Sequence, residues 1–201
     1  MNETENRDRT FTVFAGVNGA GKTSLHAVLE KVIPLGKRVN IDEIAIDMGS
    51  WSDTLIQVKA GREAIKRISE YIDAGSSFHM ETTLPGATIV RHIKKAKAAG
   101  YSIRLYYIGL DNIETAIERV HRRVEKGGHG IDDNVIIKRF EYLPQRLRAI
   151  IPLCDRIVFY DNTVRFRQIA IIQNNKIIDC DRDLPQWFRE LPDTNSAIAR
   201  R

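Results

Sequence analysis

The residues best suited to chemistry lie near the start of the chain. Gly16-Val-Asn-Gly-Ala-Gly-Lys22-Thr23 matches GxxxxGK[ST] in full. Glycines allow the backbone to wrap closely around phosphate oxygens. Its amides then point inward, and the N-terminus of a following helix adds partial positive charge. A polyphosphate tail is therefore expected on Gly16, Asn18, Gly19, Ala20, Gly21, Lys22, Thr23 and Ser24. Lys22 is expected to reach the β- and γ-phosphates, and Thr23 to hold Mg²⁺.

Carboxylates recur where strands are expected to end. Asp42 follows Arg38-Val-Asn-Ile41. It can take the proton of an attacking hydroxyl, or it can cap the next helix with Glu43 in the first turn. Glu81-Thr82-Thr83 closes the apolar run Phe78-His-Met80. Glu81 can support Mg²⁺ through water or bind substrate hydroxyls, with Thr82 and Thr83 adding hydroxyls; the bland alternative is a plain turn. Asp111 and Asp161 also end apolar strands, and Asn162 beside Asp161 is a candidate contact for the nucleotide base. Asp53 reads as solvated or as a helix cap.

The basic segment Arg119-Val-His-Arg122-Arg123-Val-Glu-Lys-Gly-Gly-His129-Gly130 joins two helices, and Arg139 follows. Its glycines can hinge. Its arginines can stabilise charge on a transferring phosphoryl group, or they form a solvated basic surface. Arg119 and Arg123 stand four apart and share a helix face, so Arg122 points elsewhere.

Elements must position these groups. A strand over Thr10–Ala15 and a helix over 22–32 flank the glycine-rich loop. A long helix is expected over 51–74, where Ile56, Ala60, Ala64, Ile68 and Ile72 recur at helical spacing. Strands are expected over 77–81, 102–110 and 156–160, and helices over 85–99, 112–126 and 132–151, the last kinked or divided at Pro144. Asn174-Asn175 marks a C-terminal hairpin, followed by a short helix over 184–191. Alternating strands and helices predict an α/β three-layer sandwich of P-loop NTPase type. Its sheet is expected to be mostly parallel and five-stranded, with a helical lid over about 121–140 and a small hairpin. One domain is expected over 10–192, with disordered tails at 1–9 and 193–201.

At 201 residues, with 43% hydrophobic and 28% charged, the chain can build a core. The net charge of +5 suits an anionic small molecule and weak nucleic-acid attraction equally, but no Lys/Arg block interleaved with aromatics suggests a nucleic-acid groove. Cys154 and Cys180 lack ligand spacing and are expected to be reduced. The apolar runs are strand-length and the N-terminus lacks an apolar signal region, so a cytoplasmic protein without a membrane segment is expected.

Several segments together resemble the zeta-toxin family of P-loop kinases, in particular its short branch of predicted ATPases. They are Gly16–Thr23, Asn40–Ala45, Phe78–Leu84, Ala99–Tyr101, Arg119–His129 and Tyr160–Asn162, in the same order. The resemblance implies an ATP- and Mg²⁺-dependent kinase. In that pattern Asp42 is the base, Glu81 and Thr83 face the acceptor, and the lid arginines fall among Arg119, Arg123 and Arg139. Larger members phosphorylate a hydroxyl of UDP-N-acetylglucosamine, so a small hydroxyl-bearing acceptor is expected, with an antitoxin protein as a further partner. Glu43-Ile-Ala45 stands where the family usually has Ser-Phe-Arg, so a substrate-side arginine is missing. The alternative reading is a nucleotide switch or ATPase acting through a protein partner. A polynucleotide-end kinase is a third, with only the 91–97 helix and the lid as basic surfaces.

Overall fold

A computed structural model describes residues 9–49, 53–84 and 86–191. The expected helix starts at Trp51 and Pro85, and most of both expected tails, lie outside the described residues. The chain runs β1 (Thr10–Ala15), α1 (Lys22–Leu29), β2 (Lys37–Val39), α2 (Ile41–Met48), α3 (Thr54–Asp73), β3 (Phe78–Thr82), α4 (Thr88–Ala98), β4 (Ser102–Gly109), α5 (Ile113–Glu125), α6 (Asp133–Ile150), a 3₁₀ turn (Ile151–Leu153), β5 (Arg156–Asp161), β6 (Arg167–Gln173), β7 (Lys176–Cys180) and α7 (Gln186–Arg189).

Five strands pair in parallel in the order β2-β3-β1-β4-β5. The hairpin β6-β7 pairs antiparallel with β5, so the five parallel strands and the expected hairpin form one seven-stranded sheet. Pairing continues because an unpaired β5 edge would leave its backbone groups open. At the hairpin tip Asn174 and Asn175 have φ of 50° and 60°, the double left-handed turn that suits asparagine.

The sheet is covered on both faces. Phe11 and Phe78 stack at 4.3 Å on one face, where Tyr71 of α3 packs against Phe78. On the other face Phe14 meets His26 of α1 edge-on. α2 is a separate helix, capped by Asn40, whose Oδ1 accepts the Asp42 amide at 3.0 Å. Asp42 therefore sits in the first turn rather than at the cap. Asp53 does cap α3, accepting from the Leu55 amide at 2.8 Å. α6 continues through Pro144, because Leu143 and Leu147 are both buried and hold its two halves on the sheet.

No disulfide links Cys154 and Cys180, and burial pushes the Cys154 thiol up to about 12. None of the described helices is long and apolar enough to cross a membrane.

Candidate active site

β1 delivers the glycine-rich loop to the carboxyl edge of the parallel strands, where α/β sheets place ligands. The loop is shaped by what a side chain would hit. A Cβ on Gly19 (φ 76°) would lie 2.6 Å from the Ala116 carbonyl, and one on Gly21 (φ 102°) 2.9 Å from Asn162 Nδ2. Gly21 is the N-cap of α1 and no side chain caps this helix. The amides of Gly21, Lys22, Thr23 and Ser24 thus lack an intrahelical acceptor. Asn40, Asp53, Asn112 and Asp132 each supply one to their helices. Open donors, glycine turns and the helix dipole make this loop a candidate anion cradle.

Lys22 lies across this cradle. Its Nζ donates to the carbonyls of Gly16 at 3.1 Å and Val17 at 3.0 Å. Burial pushes it down from 10.5 to about 8; Glu81 and Asp42 oppose that shift, while Arg139 and Arg123 add to it. The candidate residues from β3, α2, α5 and α6 therefore converge electrostatically on one ammonium.

Thr23 Oγ1 donates to Glu81 Oε2 at 2.8 Å. This leaves the hydroxyl's lone pairs for a hard cation, and Mg²⁺ takes oxygen ligands of this kind. The residues therefore fit a nucleotide-bound magnesium ion, with Thr23 as ligand and Glu81 behind it. Thr83 lies half-buried one residue beyond β3, while Thr82 Oγ1 accepts the Leu84 amide at 2.9 Å.

Asp42 is more than half exposed, and its Oδ2 lies 3.7 Å from His129 Nε2. The connection between α5 and α6, where a lid was expected, thus reaches the candidate base. The three lid arginines have separate destinations. Arg139 Nη1 donates to Asn18 Oδ1 in the loop at 2.9 Å. Arg123 Nη2 donates to the His129 carbonyl at 2.7 Å, within the lid. Arg119 Nη2 donates to the Thr163 carbonyl at 3.2 Å, and its buried Nη1 has no hydrogen-bond partner among the described residues. Arg122 turns outward to Glu118. Asn162 braces the loop, its Nδ2 donating to the Ala20 carbonyl at 2.9 Å.

Asp161 and Asp111 anchor the C-terminal helix. Asp161 Oδ1 accepts Trp187 Nε1 at 3.1 Å, and Asp111 Oδ1 accepts the Trp187 amide at 3.0 Å. Sequence reasoning missed Arg38, which pairs with Glu81 at 3.1 Å and Glu43 at 3.0 Å. It also missed the buried contact between His26 and His79. The available signal was the alternation of β3, which puts His79 and Glu81 on one face.

The zeta toxin family profile matches residues 51–177. This chain belongs to the zeta toxin family. The matched stretch holds Glu81, the lid and Asn162; the loop at Gly16–Thr23 precedes it. An uncharacterized protein of Haemophilus influenzae is 32% identical over 127 residues, covering 63% of this chain and 89% of that protein. The PezAT chromosomal toxin-antitoxin system of Streptococcus pneumoniae shares the fold, with a TM-score of 0.59 at 14% identity over 100% of this chain and 90% of that one. So does AvrRxo1-ORF1:-ORF2 with ATP, with a TM-score of 0.64 at 17% identity over 96% of this chain and 64% of that one. The Pnkp1/Rnl/Hen1 RNA repair complex matches with a TM-score of 0.61 at 14% identity over 72% of this chain, which spans 47% of the matched one. Zeta-toxin membership supports a kinase-type phosphotransferase and implies nucleotide binding.

Proposed function

We propose that this zeta-toxin family chain transfers the γ-phosphate of ATP to a hydroxyl of a small acceptor. The uncapped start of α1 carries the reading: its open amides and the Lys22 ammonium lie together at the turn that leaves β1, where glycines alone fit the close backbone approach. Lys22 and the loop amides hold the phosphates. A magnesium ion, when bound, neutralises phosphate charge and shields it from the incoming oxygen. Thr23 would hold that ion, with Glu81 orienting the hydroxyl.

Asp42 takes the acceptor's proton as the acceptor oxygen bonds to the γ-phosphorus and the bond to the bridging oxygen breaks. ADP and a phosphorylated acceptor leave. Arg139 stands at Asn18, on the phosphate side, where transferring charge develops. Arg119 and Arg123 hold the nucleotide-side loop and the lid turn. Glu81 and Thr83 border the acceptor side, and nucleotide sugars are the first acceptor class to screen.

The test is transfer of label from ATP to pools of nucleotide sugars, nucleosides and RNA ends. A labelled small product, lost in Asp42→Ala, is expected. ATP binding with no product in any pool would replace this reading with a nucleotide switch acting on a protein partner.

A further inference from the structure

Glu81 has two oxygens with two separate tasks, and Arg38 determines how they are divided. β2 pairs with β3 in parallel with Arg38 opposite His79. In register, Arg38, His79 and Glu81 share the sheet face that α1 covers. The Arg38 guanidinium spans two carboxylates: Nη1 meets Glu43 Oε1 at 3.0 Å, and Nη2 meets Glu81 Oε1 at 3.1 Å. The second oxygen of Glu81 accepts the Thr23 hydroxyl at 2.8 Å. A continuous polar chain therefore runs from α2 through β2 and β3 to the first turn of α1.

Each link in this chain has a direction. The planar guanidinium has its N–H groups in fixed directions, and here its two terminal nitrogens hold one carboxylate each, so Glu81 is held through Oε1 alone. With Oε1 committed to Arg38, only Oε2 faces Thr23. The Thr23 proton must then point at Glu81, because a carboxylate accepts and cannot donate. Its lone pairs are left for a cation. Arg38 Nε is buried with no hydrogen-bond partner among the described residues, which is a cost of this placement. The two ion pairs, and not the full satisfaction of the guanidinium, hold the side chain there. The Glu81 side chain is 11% exposed, so it cannot substitute bulk water for Arg38 without rearranging.

We propose that Arg38 is the positioning residue of the divalent-cation site: by fixing Glu81 it sets the orientation in which the Thr23 hydroxyl accepts a nucleotide-bound cation. The inference rests on the nucleotide-binding reading above. It goes beyond that reading by making the orientation of Glu81 depend on Arg38, a β2 residue that no motif marks. It also gives Glu43, next to Asp42, a purpose: it holds the far side of the Arg38 fork.

The test measures binding and not turnover. Calorimetry with a non-hydrolysable ATP analogue, in EDTA and then in Mn²⁺, gives the factor by which the cation strengthens nucleotide binding. In Arg38→Gln that factor is expected to fall about tenfold relative to the parent chain, within the usual range of coupling between two sites. Arg38→Lys is expected to restore part of it, since charge returns without the fork. Should Arg38→Gln fail to fold, Glu43→Gln serves instead, because Glu43 is largely exposed and its loss frees the same guanidinium; a smaller fall is expected. An unchanged factor in the folded variant overturns the role of Arg38. A parent chain that binds the analogue in neither condition overturns the nucleotide reading itself, so the two failures are distinct.

Discussion

His26 and His79 face each other Nε2 to Nε2 at 2.8 Å, both buried, with their rings stacked between α1 and β3. Only one nitrogen of such a pair can carry the shared hydrogen. His79 Nδ1 lies 3.3 Å from the Leu35 carbonyl, which can only accept, so Nδ1 carries hydrogen and Nε2 of His79 is the acceptor. His26 then donates. The contact ties the helix that opens with Lys22 to the strand that ends at Glu81.

Burial, with the neighbouring His26 second, holds His79 below its ordinary range. A histidine depressed in the fold contributes stability above its unfolded value near 6.5, and that stability is lost as pH falls below it. Urea unfolding from pH 7.5 to 5.5 should show falling stability, with a slope no steeper than about 1.4 kcal/mol per pH unit from this one proton. Burial also depresses His92, so the decisive comparison is His79→Gln, which should flatten the slope. An equal slope in parent and variant would assign the effect elsewhere.

Lys22 makes a prediction at the other end of the pH scale. With its ammonium at about 8 in the nucleotide-free chain, it loses charge above that pH. A bound polyphosphate favours the charged form and raises it again. Nucleotide affinity should therefore fall by up to about tenfold per pH unit above 8, with a proton taken up on binding. Calorimetry at pH 9 in two buffers of different ionisation enthalpy detects that proton. Lys22→Arg, if it binds, should lose the pH dependence, because guanidinium stays charged.

The parts of the site that follow from local order were legible in the sequence. The glycine-rich loop, the helix after it, the Asp53 cap and the Asn174-Asn175 turn each rest on residues within a few positions. Parts that depend on strand register were not. Arg38 and Glu81 lie 43 residues apart, and His26 and His79 lie 53 apart. Only the placement of β3 between β2 and β1 brings them together. α2 was hard to separate because it is 8 residues long and sits between Asn40 and Gly49. Where the hairpin attaches was likewise not written in its own residues: that depends on the open edge of β5.

Asp161 is 5% exposed and accepts from both Trp187 Nε1 and Thr163 Oγ1, the latter at 2.8 Å. Trp187→Phe removes the indole donor and part of the ring that packs on Gly109. It should cost roughly 1–3 kcal/mol in chemical denaturation, the usual penalty for depriving a buried acceptor. Asn162 and Thr163 follow Asp161 and touch Ala20 and Arg119, so a modest loss of nucleotide affinity should accompany it. Full stability would show that the carboxylate is satisfied by its other partners.

Arg139 gives the sharpest test of the lid. Its guanidinium crosses from α6 to Asn18 at 2.9 Å, and burial lowers it while Asp42 opposes the shift. A cation held partly out of water beside the glycine-rich loop would act most strongly on charge that develops during transfer. Arg139→Ala should lower kcat by roughly 100- to 1000-fold, with nucleotide affinity changing by less than about threefold. Asn18→Ala removes the same hydrogen bond but keeps the cation, so its kcat should stay within about threefold of the parent. Arg139→Lys should recover only part of the rate, because the ammonium lacks the planar fork. If Asn18→Ala and Arg139→Ala cost the same, the guanidinium merely pins the loop and the transition-state role is wrong.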